Sequence, residues 1–518
     1  MDTDVVIVGA GPTGLLLACE LRLAGLRPVV LERRPEPSEL PKANGLGGQI
    51  IRLLDQRGLL GRLSEGSPYS GPVPRYPFGP IPLELSRLGG EPPFEVLVIQ
   101  QPRLERLLGE RAAELGAEIR RGHELTTMAQ DESGVTLAVR GPDGPYRLRA
   151  GYVVGCDGAR SPVREQAGIG FPGTADPDAV RIGHFRSEGA AGALLEAPEV
   201  EVPGFGRLEP GWNHTPRGRV IVTSLHPGVH VVGIRERRGP ESGTEDGVDG
   251  GAVSLAEFQE AARRVLGAEL PLGEPIWMSR TVAQARLADR FVDGRVLLAG
   301  DAAHLFPAGG SALNAGMTDA LNLGWKLAAR VRGWAPPDLL GSYDTERRAA
   351  AARALLHTRA QAALDRDGDS EESAALRELV TELLRFEEPL RHVAELMSGA
   401  DVRRPAPHGH PLVGRIAPDL PLKRPSGEPS RVAELMRTAR PVLLDLGVPG
   451  LREAADPWRD RVDLVPATSP SPPAHALLIR PDGQVAWAAD TPDTLPQALQ
   501  HWFGQSLTST NPTAHHRA

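Results

Sequence analysis

The residues with the clearest chemical spacing are three glycines near the N-terminus, Gly9, Gly11 and Gly14, with Pro12 and Thr13 between them. They follow the apolar run Val5-Val6-Ile7-Val8 and precede a helical pattern from Leu15 to Arg22. A second apolar run, Val29-Val30-Leu31, ends in Glu32 and Arg33. Strand, turn, helix, strand and acid are the context in which G-x-G-x-x-G holds a dinucleotide. Gly9 makes the tight turn, Gly11 lets a pyrophosphate approach the backbone, and Gly14 lets helix and strand pack closely. The helix N-terminus offers unpaired N–H groups and partial positive charge to the phosphates. Glu32 stands where a carboxylate accepts a ribose hydroxyl, which disfavours a 2′-phosphate and leaves NAD or FAD.

Two further glycine–acid turns follow buried apolar runs. Tyr152-Val153-Val154 leads into Gly155-Cys156-Asp157-Gly158-Ala159-Arg160-Ser161, and Val296-Leu297-Leu298-Ala299 into Gly300-Asp301-Ala302-Ala303-His304. The second continues through Pro307, Gly309 and Gly310 into a helix. Each places a carboxylate at a strand end, within reach of sugar or ribityl hydroxyls. The glycine-rich stretch after the second presents backbone N–H groups at a helix N-terminus, suited to negative charge on a reduced flavin.

The elements that must carry these turns read as strands and helices in alternation. Helical spacing marks Gly47 to Gly58, residues 102 to 116, Leu255 to Leu266, Asp319 to Val331 and Ser342 to Leu364. Strands alternate through residues 118 to 149, and a mostly antiparallel sheet is predicted over 180 to 236. Arg238 to Gly251 and Arg366 to Ser373 read as loops, and residues 403 to 430 as a proline-rich linker. Beyond it, Val442 to Leu446, Val462 to Val465, Ala476 to Ile479 and Val485 to Ala488 read as strands of a small α/β domain closed by the helix Gln497 to Phe503. The tail from Ser506 is expected to be disordered.

Composition narrows the function. A chain of 518 residues is long enough for two or three domains. Its net charge of −8 and lack of a basic stripe exclude nucleic acid as a partner. The two cysteines, Cys19 and Cys156, form no C-x-x-C, which excludes a dithiol redox centre and a thiolate zinc site; no metal is expected. No apolar run reaches membrane-span length and the N-terminus has no signal-peptide pattern, so a cytoplasmic protein with no membrane partner is expected.

The three turns in this order resemble the FAD-dependent group A aromatic hydroxylases, of the para-hydroxybenzoate hydroxylase type. The runs Glu20 to Gly25, Leu115 to Gly122, Phe171-Pro172-Gly173 and Asp319 to Leu327 look like the subgroup that oxidises aromatic polyketides and rifamycin-type antibiotics. The resemblance implies a Rossmann-like FAD-binding domain (residues 1–173 and 281–402) with an inserted, mostly antiparallel β-sheet substrate domain (174–280). It adds a C-terminal thioredoxin-like domain and tail (403–518) without C-x-x-C, so the fold class is mixed α/β and α+β. It implies that Gly9, Gly11, Pro12, Thr13, Gly14, Glu32, Arg33, Lys42 and Gln101 serve the FAD. So do Asp157, Gly158, Gly300, Asp301, Pro307, Gly310, Ala312, Leu313 and Asn314, with Asp157-Gly158 also serving transient NADPH. Two departures stand out. The family's Gly-Gly-Gln-Gly-x-Asn is here Gly309-Gly310-Ser311-Ala312-Leu313-Asn314, and Lys42 and Gln49 stand where the subgroup often has arginine.

The implied reaction is monooxygenation of a polyketide-derived or polycyclic aromatic small molecule. NADPH reduces FAD, O2 forms a flavin C4a-hydroperoxide, and hydroxylation or Baeyer–Villiger insertion follows, in a monomer or homodimer. The rival is a redox-neutral cyclase that keeps FAD, an idea the altered Ser311-Ala312 loop keeps open. Pro307 and His304 are expected to line the site, His304 more as a support of the Gly300-Asp301 turn than as an acid or base. His184, His214, His226 and His230 lie in the middle sheet expected to cover the flavin face, where one can touch substrate and most are read as structural; Arg181, Phe185, Trp212 and Trp277 are pocket candidates by location alone, which packing explains as well.

Overall fold

The β-branched run Val5-Val6-Ile7-Val8 forms the strand Thr3–Val8, buried on both faces, the pattern of a parallel strand covered on two sides. The computed structural model describes residues 1–90, 93–186, 200–209, 211–226, 228–237, 253–307, 311–366, 370–402 and 409–506. Thr3–Val8 pairs in parallel with Pro28–Glu32 on one side and with the end of Gly144–Gly155 on the other. Glu118–Arg121 and Val296–Leu298 continue the parallel sheet outward on the two sides. Along this sheet the strand ends Glu32, Val8, Gly155 and Leu298 stand side by side. Such an order opens a crevice at the carboxyl ends of the strands.

A second sheet runs in the order Gly211–Thr215, Gly218–His226, Val229–Glu236, Gly173–Arg186, Glu274–Leu287 and His304–Leu305, with every pair antiparallel. The helix Leu255–Leu266 covers one of its faces: Phe258, Ala261, Ala262 and Val265 bury against Phe185, Val220, Val222, Val232 and Ile234. Ser254 starts this helix by accepting the Glu257 N–H, and Gly267 ends it at φ +73°. The expected domain boundary at 280 falls inside the strand Glu274–Leu287, because that strand pairs along its length with Gly173–Arg186 and then with His304–Leu305. The expected loop Arg238 to Gly251 and the tail from Leu507 lie outside the described residues.

The last sheet is ordered Asp463–Pro466, Val442–Asp445, Ala476–Ile479, Val485–Ala489, the first pair parallel and the others antiparallel. The helix Leu495–Phe503 closes it. Its core is shared with the rest of the chain: Trp325, Ala329 and Leu339 pack with Trp458, Leu499, Trp502 and Phe503. Arg57, paired with Glu20 at 2.7 Å and 2.8 Å, donates to the carbonyls of Met436 and Pro481, which fastens this sheet to the first helices.

Three expectations need correction. The stretch Arg366 to Ser373 is not all loop: Ser370 accepts the Ser373 N–H and caps the helix Glu371–Leu383. Another unforeseen helix, Glu387–Ser398, follows it. The helix expected from Asp319 begins two turns earlier, as Ser311–Val331. Within 403 to 430, Pro421–Lys423 and Pro429–Arg431 form a short hairpin, while 403–408 lie outside the described residues.

Candidate active site

Backbone geometry explains the first turn. Gly9 has φ +106°, and a Cβ there would lie 2.3 Å from the Cys156 carbonyl oxygen; one at Gly14 would lie 2.1 Å from the Gly9 oxygen. Gly11 is different. Its φ of −74° suits any residue, and a Cβ would meet nothing within 4 Å. The space before it is therefore open to a ligand. Pro12 opens the helix Pro12–Leu23, where its missing N–H costs nothing.

The neighbouring turn is held from within. Asp157 Oδ2 accepts the Val163 N–H at 3.0 Å, whereas its buried Oδ1 has no hydrogen-bond partner among the described residues. Burial pushes the Asp157 carboxyl above the usual range, against hydrogen bonds from Ser161 and Val163. Arg164 bridges this turn to the next by donating to the carbonyls of Ala302 at 3.1 Å and Ala159 at 2.9 Å. At Gly300, φ is +64° and the helix Ser311–Val331 approaches so closely that a Cβ on Gly316 would lie 3.0 Å from the Gly300 Cα. Asp301 opens on the cleft; loss of solvation there raises its carboxyl, opposed by His304 and Lys42.

One cleft of about 470 Å³ runs past these turns, and Gly9, Gly11, Pro12, Thr13, Glu32, Arg33, Lys42, Gln101, Asp157, Gly158, Asp301, Ala312 and Leu313 line it. Gly14 and Gly300 shape it from behind. Glu32 is partly engaged by the turn itself, since its carboxylate accepts the N–H groups of Ala10 at 2.9 Å and Arg34 at 3.0 Å. Gln101 donates to Glu105, also on the cleft, at 2.7 Å. Arg34, Arg121 and His123 line the cleft as well and were not anticipated. The parallel pairing of Glu118–Arg121 beside Pro28–Glu32 puts them at a strand end on the crevice, a signal visible only once strand neighbours are known.

Several predicted residues fall elsewhere. Asn314 accepts the Gly47 N–H at 3.1 Å and lines a separate cavity of about 90 Å³, together with Gln49. Pro307, after the strand His304–Leu305, is half-buried outside the cleft lining, and Gly310 lies outside the described residues. His304 does not line the cleft: it is fully buried, bonded through Nε2 to Asp319 at 2.7 Å and stacked on Phe306. Arg181 and Phe185 are not pocket residues. They point to the helix-covered face, Arg181 onto Glu236 and Glu257, Phe185 onto Phe258.

An open backbone cradle at Gly11, an orphaned carboxylate oxygen at Asp157 and an acid at a third strand end suit a polyhydroxylated diphosphate, so the residues fit a flavin dinucleotide. Fold and crevice together define a dinucleotide-binding oxidoreductase. The chain belongs to the FAD-dependent aromatic-ring hydroxylases: residues 2–358 match the family described as FAD binding domain, and residues 410–506 match aromatic-ring hydroxylase, C-terminal. It is similar to the 12-dehydrotetracycline 5-monooxygenase/anhydrotetracycline 6-monooxygenase of Streptomyces rimosus subsp. rimosus, at 42% identity over 97% of this chain and 99% of that one. It is also similar to the dialkyldecalin synthase of Streptomyces rugosporus, at 40% identity over 97% of this chain and 99% of that one. The solved structure of OxyS anhydrotetracycline hydroxylase from Streptomyces rimosus matches with a TM-score of 0.85 and 42% identity, covering 98% of this chain and 100% of that one. This protein is accordingly a flavoprotein monooxygenase with FAD as its cofactor. Among the described residues no helix is long and apolar enough to cross a membrane.

Proposed function

We propose that this monooxygenase oxidises a polycyclic aromatic, polyketide-derived small molecule with NADPH and O2, on the face of the six-stranded sheet opposite the helix Leu255–Leu266. The observation that carries this reading is that face. Opposite the helix Leu255–Leu266 it presents the indoles of Trp212 and Trp277, and its edge strand His304–Leu305 follows directly on the Gly300-Asp301 turn, whose Asp301 lines the cofactor cleft. A flat apolar ligand with few polar groups suits such a wall. The relatives' printed activities on tetracycline intermediates support the substrate class.

Bound FAD supplies the electron transfer and oxygen activation. The chain's own groups hold and tune it. The turns at Gly9, Asp157 and Gly300 seat the diphosphate and ribityl parts, and the first turn of Ser311–Val331 directs N–H groups and the positive end of a helix dipole at negative charge. Lys42 adds a point charge to the same cleft. An open hollow of about 710 Å³ beside the Asp157 turn supports a second, transient dinucleotide. It is lined by Arg160, Arg164 and Arg286, and the Arg164 guanidinium lies 4.0 Å from the Phe171 ring centre. Cations and an aromatic face suit NADPH phosphates and bases.

The second reading, a redox-neutral cyclase, is favoured by the dialkyldecalin synthase relative and by Ser311-Ala312. One experiment separates them. The yellow protein is given anhydrotetracycline, NADPH and ¹⁸O2; labelled product with NADPH oxidation supports monooxygenation of this class. Product formed at full rate without label or NADPH oxidation sinks it.

A further inference from the structure

His184 lies on the face of the six-stranded sheet opposite the helix Leu255–Leu266, the face on which Arg219 pairs with Asp365 at the end of the helix Gly341–Arg366. Strand alternation sets this: Arg181 and Phe185 reach the helix Leu255–Leu266, so His184 points the other way. Cross-strand pairing puts Val231 on one side of it and Trp277 on the other. In the adjacent row stand Trp212, Ile221, Gly233, Ile182 and Ser279. Gly233 is glycine because a Cβ there would lie 2.7 Å from Ile221 and 3.1 Å from the Trp212 ring. The missing side chain lets the Trp212 indole lie low, with the Arg219 guanidinium 4.5 Å from its centre. Trp212, Ile221 and Trp277 are half-buried, while Val231 and His184 are buried. Two indoles and a buried imidazole therefore stand on one face of the sheet.

The imidazole Nε2 is buried and has no hydrogen-bond partner among the described residues. The ring of His184 stands at 88° to that of Trp277, 5.5 Å away. Burial lowers its pKa, so the ring is neutral near pH 7 and can offer one nitrogen as an acceptor or one N–H as a donor. A ligand hydroxyl would satisfy this nitrogen.

We infer that His184 reads a phenol or enol hydroxyl of the aromatic substrate through Nε2, and so sets which ring edge faces the flavin. The assignment rests on the substrate reading above. A buried nitrogen between Val231 and Trp277 decides orientation, because turning the ligand over leaves both that nitrogen and the hydroxyl unpaired.

The test uses the FAD-loaded full chain with anhydrotetracycline and its phenol methyl ether as probes, their binding followed by perturbation of the flavin spectrum. The expected result is that the wild type binds the phenol about tenfold more tightly than the ether, in line with one buried hydrogen bond. His184→Phe weakens phenol binding about tenfold, leaves the ether unchanged and spreads oxidation over more than one carbon; His184→Gln restores most of the preference. Unchanged phenol binding and product in His184→Phe would overturn the assignment, leaving an N–H···π contact with Trp277 as the nitrogen's partner. Should His184→Phe lose its flavin, the wild-type phenol-to-ether ratio and His184→Gln still decide, and equal binding of the two probes by the wild type overturns it. If neither probe binds the wild type, the substrate reading fails first and this assignment with it.

Discussion

Oδ2 of Asp319 lies 2.7 Å from His304 Nε2 and 3.0 Å from the Gly300 nitrogen, so a single carboxylate oxygen holds both the cofactor turn and the histidine that follows it. Its other oxygen accepts from Arg347 Nε at 2.6 Å. Asp319 and His304 are wholly buried. Burial alone would raise the Asp319 carboxyl, but His304 and Arg347 outweigh it and hold it below the usual carboxylate range.

Asp319→Asn should therefore be costly out of proportion to its size. It leaves Arg347 without its counter-charge and gives His304 an amide in place of a carboxylate, and breaking a buried pair from one side costs about 3–5 kcal/mol. Urea unfolding and the FAD-to-protein ratio should both fall. In the wild type this contribution is present above the unfolded carboxylate pKa near ~3.9 and disappears as pH drops through the lower folded value. A variant with wild-type stability and full flavin content would refute the role given to Asp319.

Gly9 and Gly11 should respond in opposite ways to the same change. Gly11→Ala adds a methyl into space empty of protein, so stability should stay within about 1 kcal/mol of wild type. FAD affinity should drop at least tenfold by fluorescence titration. In Gly9→Ala the new methyl collides with the Cys156 carbonyl, so soluble folded protein itself should be lost. Equal flavin affinity in wild type and Gly11→Ala would mean that the diphosphate lies elsewhere.

His357 gives a pH signature in the mildly acidic range. Burial, with help from Arg353, lowers its pKa to about 4, and its Nδ1 meets Gln361 Nε2 at 3.0 Å. The unfolded chain, with a histidine pKa near ~6.5, binds the proton more readily, so stability declines as pH falls from that value toward 4. The decline from this group should total on the order of 1–3 kcal/mol. Chemical denaturation of wild type and His357→Phe across this window checks it; parallel curves would exclude His357 as the source.

Arg57 and Glu20 form a buried pair, each side chain 2% exposed, and Arg57 also reaches the C-terminal segment. Arg57→Met should cost about 3–5 kcal/mol and hasten proteolysis near residue 410, whereas the double change with Glu20→Leu should recover much of the loss. Thermal unfolding of the four proteins of the cycle measures the coupling, and additive losses would argue against it.

How much of this was legible in the sequence depends on the length scale of each cause. The glycine turns were, because their spacing answers to local backbone geometry: Gly9 and Gly14 have no room for a Cβ. That Asp157 and Asp301 sit beside them was reachable only by resemblance, since strand adjacency is not encoded within either turn. Arg181 and Phe185 were misplaced although the rule needed was local. Four residues apart on one strand, they share a face with each other and not with His184. The helix Glu371–Leu383 was hidden by its acids, which suggest a solvated loop, while Ser370 ahead of them is a helix cap. The cleft cations Arg34 and Arg121 had no signal of their own before the pairing of strand Glu118–Arg121 was known.

The adjacency of the strand ends Val8, Gly155 and Leu298 also governs when the protein can become yellow. The first cofactor turn leaves the ribosome well before its companions, which come about 150 and about 290 residues later in the chain. At ~5–20 residues per second, synthesis runs for tens of seconds before the third turn has been made. Until then the N-terminal strand waits with an apolar edge open on the side that Gly144–Gly155 will fill. A nascent chain stalled before residue 300 should hold no flavin, however well its first helix has formed.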